Sequence, residues 1–64
     1  MYEVEFYGID GQPFRGDLPE FNDEAVEACR ASLEKTHNQR FPLDPKTGYP
    51  SFVVYQDGDE IAGG

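Results

Sequence analysis

The 64-residue chain has one cysteine (Cys29), one histidine (His37) and no tryptophan. A lone thiol closes no intrachain disulfide, so the disulfide frameworks of small secreted domains are disfavoured and an intracellular, cytoplasmic protein is expected. One Cys and one His fall short of the roughly four ligands of a structural zinc site. Asp57, Asp59 and Glu60 lack the ordered oxygen spacing of a calcium loop, and no phosphate-cradling glycine loop precedes the helical segment. No metal or other cofactor is expected. Cys29 and His37 stand eight positions apart on one helical pattern, about 12 Å at 1.5 Å per residue. That is out of reach for a nucleophile and its base. Long apolar runs are missing too, and none approaches the ~20 residues that span a bilayer. No charged-then-apolar leader opens the chain, and no lipidation signal is present. No membrane attachment is expected.

Basic residues are scarce: five Lys and Arg face thirteen Asp and Glu, for a net charge of −8. That balance argues against direct binding to nucleic acid or to an anionic membrane. It fits a partner with a basic surface, or solubility alone. Carboxylates are plentiful, but one helix on one sheet rarely encloses a cleft of several hundred Å3. A non-enzymatic role is therefore expected.

What the chain does have is aromatic area, with five phenylalanines and four tyrosines to build a core. Residues 2–8 alternate, with Tyr2, Val4 and Phe6 on one face and Glu3, Glu5 and Tyr7 on the other. Phe14, Gly16 and Leu18 form a second alternating set. A two-residue Asp10-Gly11 loop would set the polar face of one strand against the apolar face of the other. A three-residue loop, Ile9-Asp10-Gly11, places Phe6 opposite Phe14, Val4 opposite Gly16, Tyr2 opposite Leu18 and Glu5 opposite Arg15, with Gly11 left-handed at its end.

Asn22 suits a helix cap, and Asp23 and Glu24 suit the positive end of a helix dipole. The helix is expected from about Asp23 to Thr36. Ala25, Val26, Cys29, Leu33 and Thr36 lie in its apolar stripe, and Glu24, Glu27, Ala31 and Glu34 face away. Prolines 42, 45 and 50 break the pattern beyond it. Asp44-Pro45-Lys46-Thr47-Gly48 reads as a type I turn, with Arg40–Leu43 as a short edge strand beside it. Ser51–Gln56 reads as a central strand, turned by Asp57-Gly58 into a last hairpin that pairs Val54 with Ile61 and Tyr55 with Glu60. The fold class is α+β. A β-hairpin, one amphipathic helix and a second hairpin or three-strand meander form a single domain over residues 1–64, with the helix packed on one face of an antiparallel sheet.

Three resemblances accompany this reading. The hairpin–helix–hairpin order and the tail Asp57-Gly58-Asp59-Glu60-Ile61-Ala62-Gly63-Gly64 resemble the ubiquitin-like sulfur carriers, β-grasp proteins whose C-terminal diglycine is adenylated and thiocarboxylated. That resemblance implies chemistry at Gly63 and Gly64 and an adenylating partner. The run Tyr49 to Gly58 is similar to the proline-led strand and turn of thioredoxins, whose redox cysteine pair this chain lacks. A short, acidic, cofactor-free chain with strands before an Asn-Asp-Glu-Ala helix start (Asn22 to Ala25) is similar to bacteriophage proteins that inhibit host enzymes, such as RNA polymerase inhibitors and anti-CRISPR proteins. The functional expectation is a small protein-binding inhibitor. Its acids Asp23, Glu24, Glu27, Glu34, Asp57, Asp59 and Glu60 mimic phosphates and occupy the basic groove of a nucleic-acid enzyme. The alternatives are the sulfur carrier and an accessory protein whose acidity serves solubility. The outer-face Tyr7, Val53 and Tyr55 are also compatible with a homodimer.

Overall fold

A computed structural model describes residues 1–63. The order is β1 (Tyr2–Tyr7), β2 (Pro13–Leu18), α1 (Asp23–His37), β3 (Phe52–Gln56) and β4 (Asp59–Gly63). The strands form one antiparallel sheet in the order β2-β1-β3-β4, and α1 lies over β2 and β1. The architecture is the α+β arrangement read from the sequence.

The β1–β2 register is the expected one, with Phe6 opposite Phe14, Val4 opposite Gly16 and Tyr2 opposite Leu18. Gly8 N donates to Gln12 O at 2.9 Å, which closes the loop over Ile9-Asp10-Gly11, and Gly11 takes a φ of 82°. Val4, Phe6, Leu18, Val26, Leu33, Phe41 and Val54 make the buried core. The Asn22 side chain accepts from Ala25 N at 2.8 Å, capping α1. Asn38 ends the helix in the left-handed region at φ 51°, with Gln39 N bonded back to Glu34 O.

Three expectations are corrected. The β3–β4 ladder shifts between Val54 and Tyr55, so Val54 meets Ala62 while Tyr55 keeps Glu60. The tight Asp57-Gly58 turn has positive φ at both residues, 52° and 91°. A bulge at Ile61 then moves the next residue into register. Ile61 is 43% exposed and Ala62 packs against the core in its place. Thr36 is exposed, beyond Leu33, the last buried residue of α1. The segment 40–43 is no strand: it makes one isolated bridge, Leu43 to Pro50, so the second half of the fold is a hairpin rather than a meander.

Gly16 sets how closely α1 approaches the sheet. A Cβ there would stand 2.6 Å from Cys29 Sγ and 3.3 Å from Leu33 Cδ1. Glycine inside a strand commonly marks such an approach. Gly16→Ala is expected to lower stability by about 1–3 kcal/mol through overpacking. Urea denaturation should show most of that loss restored in the double variant Gly16→Ala/Cys29→Ala. If the loss persists, the contact with Cys29 is not its cause.

Candidate functional site: a trough beside the helix

The core face of the sheet is wider than α1. The helix covers β2 and β1, and the segment after it folds back to cover part of the rest. Phe41, 2% exposed, stacks on Phe6 at 5.2 Å between ring centroids and tilts against Phe14 at 5.8 Å. Tyr49 packs edge-on against Phe52 at 5.9 Å and against Phe6 at 6.4 Å. The loop between them is set by Asp44. Its side chain accepts from Lys46 N at 2.8 Å and its carbonyl from Gly48 N at 2.8 Å, which holds the expected turn.

Charged groups tie this segment to the helix. Arg30 is clamped between Glu27, at 2.6 and 2.7 Å, and Glu34. The other Glu34 oxygen accepts from Phe41 N at 3.0 Å, and Glu27 accepts from Tyr49 Oη at 2.9 Å. Glu34 thus faces the returning chain rather than bulk solvent, a second correction to the helical-wheel reading. The hydrogen bonds from Arg30 hold the Glu27 carboxyl down to about 2. Burial and the bond to Glu27 push the Tyr49 phenol up to about 12.

Between α1 and the segment 40–50 runs a groove of about 500 Å3, lined among others by Arg30, Glu34, Arg40, Phe41 and Leu43. A second groove of about 400 Å3 lies between α1 and β3, lined by Asp23, Val26, Glu27, Tyr49 and Phe52. Glu27 and Tyr49 line both, so their hydrogen bond divides one open trough in two. Clefts of several hundred Å3 are therefore present, contrary to the expectation from chain length. They arise because the helix leaves β3 and β4 uncovered.

The seven acids singled out in the sequence separate into two groups. Glu27 and Glu34 share Arg30, which offsets one of their two charges. Asp23, Glu24, Asp57 and Asp59 gather at one end of the molecule, and Glu60 stands apart from both groups. Tyr2 pairs with both Leu18 and Gln56, so the end of β2, the turn at Asp57 and the start of β4 share that end. Phe21, 6.0 Å from Tyr2, brings the start of α1 there as well. Asp23, Glu24, Asp57 and Asp59 are joined by Glu20. Among the described residues, the only cation bonded to one of them is the Met1 amine, 3.2 Å from Asp57 Oδ1 and largely exposed. Lys35 and His37 lie at the opposite end, where the His37 ring meets Phe14 at 5.0 Å. Glu60 belongs to a row across the outer sheet face, Asp17–Glu3–Tyr55–Glu60. Glu5, Tyr7, Arg15 and Tyr55 form a second cluster on that face. Arg15 lies 4.2 Å from the Tyr55 ring centroid and 3.1 Å from Glu5, which also accepts from Tyr7 Oη at 2.9 Å.

Gly63 pairs with Val53 in β4, and Gly64 lies outside the described residues. Among the described residues, no group of three or more His, Cys, Asp or Glu is placed to hold a metal ion, and no helix is long and apolar enough to cross a membrane. The sequence reading missed Arg30, Phe41, Tyr49 and Phe52 as trough residues. Only the Glu27–Arg30–Glu34 spacing, three and four positions, signalled the ion-pair network in advance. The chain matches no protein-family model, no curated protein and no solved structure.

The Glu27 shift has a definite sign. A carboxyl lowered in the folded state contributes stability above its unfolded value near 4.5 and loses it as pH falls toward 2. The side chain is 51% exposed, so screening reduces the contribution to about 0.5 kcal/mol. Glu27→Gln is expected to lower stability by that amount at pH 7 and to flatten the acid dependence of the urea midpoint between pH 4.5 and pH 2. An unchanged acid limb would mean that Arg30 does not hold this carboxylate in solution.

Proposed function

We propose that this chain is a small protein-binding inhibitor, of the kind bacteriophages direct at host enzymes. It sets its acidic end against a basic, nucleic-acid-binding surface of a partner in the cytoplasm. The reading rests chiefly on the polarity of the molecule. Asp23, Glu24, Asp57 and Asp59 collect at one end together with Glu20, whereas Arg30 offsets half of the charge of Glu27 and Glu34. Concentrated charge of one sign steers a basic partner and selects against acidic ones. The catalogue of phosphate-mimicking acids is thereby narrowed to the first helical turn and the last hairpin.

The outer face supports the same reading. Glu3 stands directly opposite Asp17 on neighbouring strands, and Arg15 reaches Glu3 only at 3.7 Å. Like charges facing each other across a ladder destabilise a sheet. Charge retained at a cost in stability is what a binding role requires and what solubility alone does not. Asp17→Asn is expected to raise stability by about 0.3–0.5 kcal/mol in urea denaturation. A loss of stability would remove this support.

The partner reading is tested by immobilising the protein, passing a nuclease-treated bacterial lysate over it and washing with rising salt. A nucleic-acid enzyme is expected to elute as the screening length falls well below ~10 Å. Its retention should drop roughly tenfold for the variant Asp23→Asn/Glu24→Gln/Asp57→Asn/Asp59→Asn, a loss of about 1.4 kcal/mol. All four positions are exposed, and Asn accepts the left-handed backbone of Asp57. Equal capture by this variant, or retention through 1 M salt, would refute the electrostatic reading. Capture of an adenylating enzyme that needs ATP and Gly64 would identify a sulfur carrier instead.

A further inference from the structure

The groove between α1 and β3 has a chemistry of its own. Its floor is apolar: Val26 is 4% exposed, and Phe52 and the Tyr49 ring are half-buried. Every ionisable group lining it other than the Tyr49 phenol is a carboxylate, Asp23 or Glu27. Glu27 is committed to Arg30 and Tyr49, while Asp23 has no hydrogen-bond or ion-pair partner among the described residues. At about 400 Å3 the groove lies in the lower range of ligand pockets. An occupant that suits it has an apolar stem, a flat cationic head and no negative charge.

From this geometry we infer that the groove is the seat of one arginine side chain of a protein partner, its methylene stem on Val26 and Phe52 and its guanidinium between Asp23 and the Tyr49 ring. Arginine is favoured over lysine because the walls are aromatic and the guanidinium is weakly hydrated, so it stacks on rings and forks onto carboxylates. The chain makes the same arrangement internally, where Arg15 lies 4.2 Å over the Tyr55 ring and bonds Glu5. A protein side chain is favoured over a free cation because Asp23 belongs both to this groove and to the acidic end. Because Asp23 is shared, a chain docked on that end also meets the groove. The inference rests on the reading of the acidic end as the partner-facing one, and it turns a diffuse electrostatic contact into one with a defined anchor.

The test needs no partner. The 15N-labelled protein is titrated with the peptide acetyl-Gly-Ser-Arg-Ser-Gly-amide, with the same peptide carrying Gln for Arg, and with butylguanidinium chloride, all at one ionic strength. The Arg peptide is expected to give saturable shift changes centred on Asp23, Val26, Glu27, Tyr49 and Phe52, and the Gln peptide none. Asp23→Asn should weaken the Arg peptide about threefold, in keeping with loss of one partly exposed ion pair. Asp10→Asn changes net charge equally but lies in the exposed β1–β2 loop outside the groove, and should leave it unchanged. Equal effects of the two variants, or shifts spread over all the acids, would reduce the site to a general field and overturn the inference. Binding of butylguanidinium without the peptide would also overturn it, showing a site for small cations. Groove binding with no nucleic-acid enzyme captured from lysate would leave the anchor standing and refute the proposed partner. Capture without groove binding would do the reverse.

Discussion

A single helix is too narrow for the sheet it covers. An α-helix with its side chains is about 10 Å across, whereas four strands at ~4.8 Å spacing present a face of roughly 15–20 Å. Here α1 sits over β2 and β1, drawn close by Gly16 under Cys29 and Leu33. The deeper the helix settles on that side, the less of β3 and β4 it reaches. Phe41 and Tyr49 answer the deficit by folding back onto Phe6 and Phe52. Among the described residues no further segment completes the cover, and small domains bury a modest share of their surface. The trough is what is left over, so it is a consequence of topology and not a feature added to it.

The returning segment is irregular and its backbone groups need partners. Glu34 accepts from Phe41 N, and Glu27 holds Tyr49 Oη. Arg30 between them cancels charge that would otherwise crowd one side of the helix. The same three residues therefore do two things at once: they fasten the second half of the core cover, and they leave the acidity of the chain concentrated at the far end. The sheet edges are guarded separately. Alternation from the Gly8–Gln12 bond turns the backbone of Pro13, Arg15 and Asp17 outward on β2. A proline without an N–H and two charged residues make a poor template for strand addition. On β4 the bulge at Ile61 interrupts the ladder. Recognition by edge pairing is disfavoured on both sides.

How much of this could be read beforehand follows from the range of the interactions. The β1–β2 register was legible because only one loop length puts Phe6, Val4 and Tyr2 on the same face as Phe14, Gly16 and Leu18. The Asn22 cap and the Asp44 turn are local hydrogen bonds made by residues a few positions apart, so they too were legible. The β3–β4 register was not. Ile61 is the better hydrophobe, and nothing local says that a tight turn followed by a bulge will present Ala62 instead. Phe41 lay in a proline-broken stretch without periodicity, and its burial depends on the uncovered width of a sheet made from distant strands. The acids were read as one set because a helical wheel does not show what folds back against it. The Glu27–Arg30–Glu34 spacing carried half of that information, and the return of Tyr49 and Phe41 supplied the other half.

The placement of the unpaired acids is what the proposed docking of a partner arginine rests on. Glu3 faces Asp17 across the β1–β2 ladder, and among the described residues Asp23 has no hydrogen-bond or ion-pair partner and lines a groove with Val26 and Phe52. A partly open apolar groove and an unpaired charge are each tolerable in a stable monomer. Side by side, they are completed by one kind of group, an apolar stem ending in a cation, and the Arg15–Tyr55–Glu5 cluster on the other face shows that this chain already stabilises such a group with the same residue types. In the proposed contact the charge selects the head and the floor accepts the stem, so weakening by salt stops at the contribution of the stem. A partner held by the acidic end alone has no such floor to its affinity.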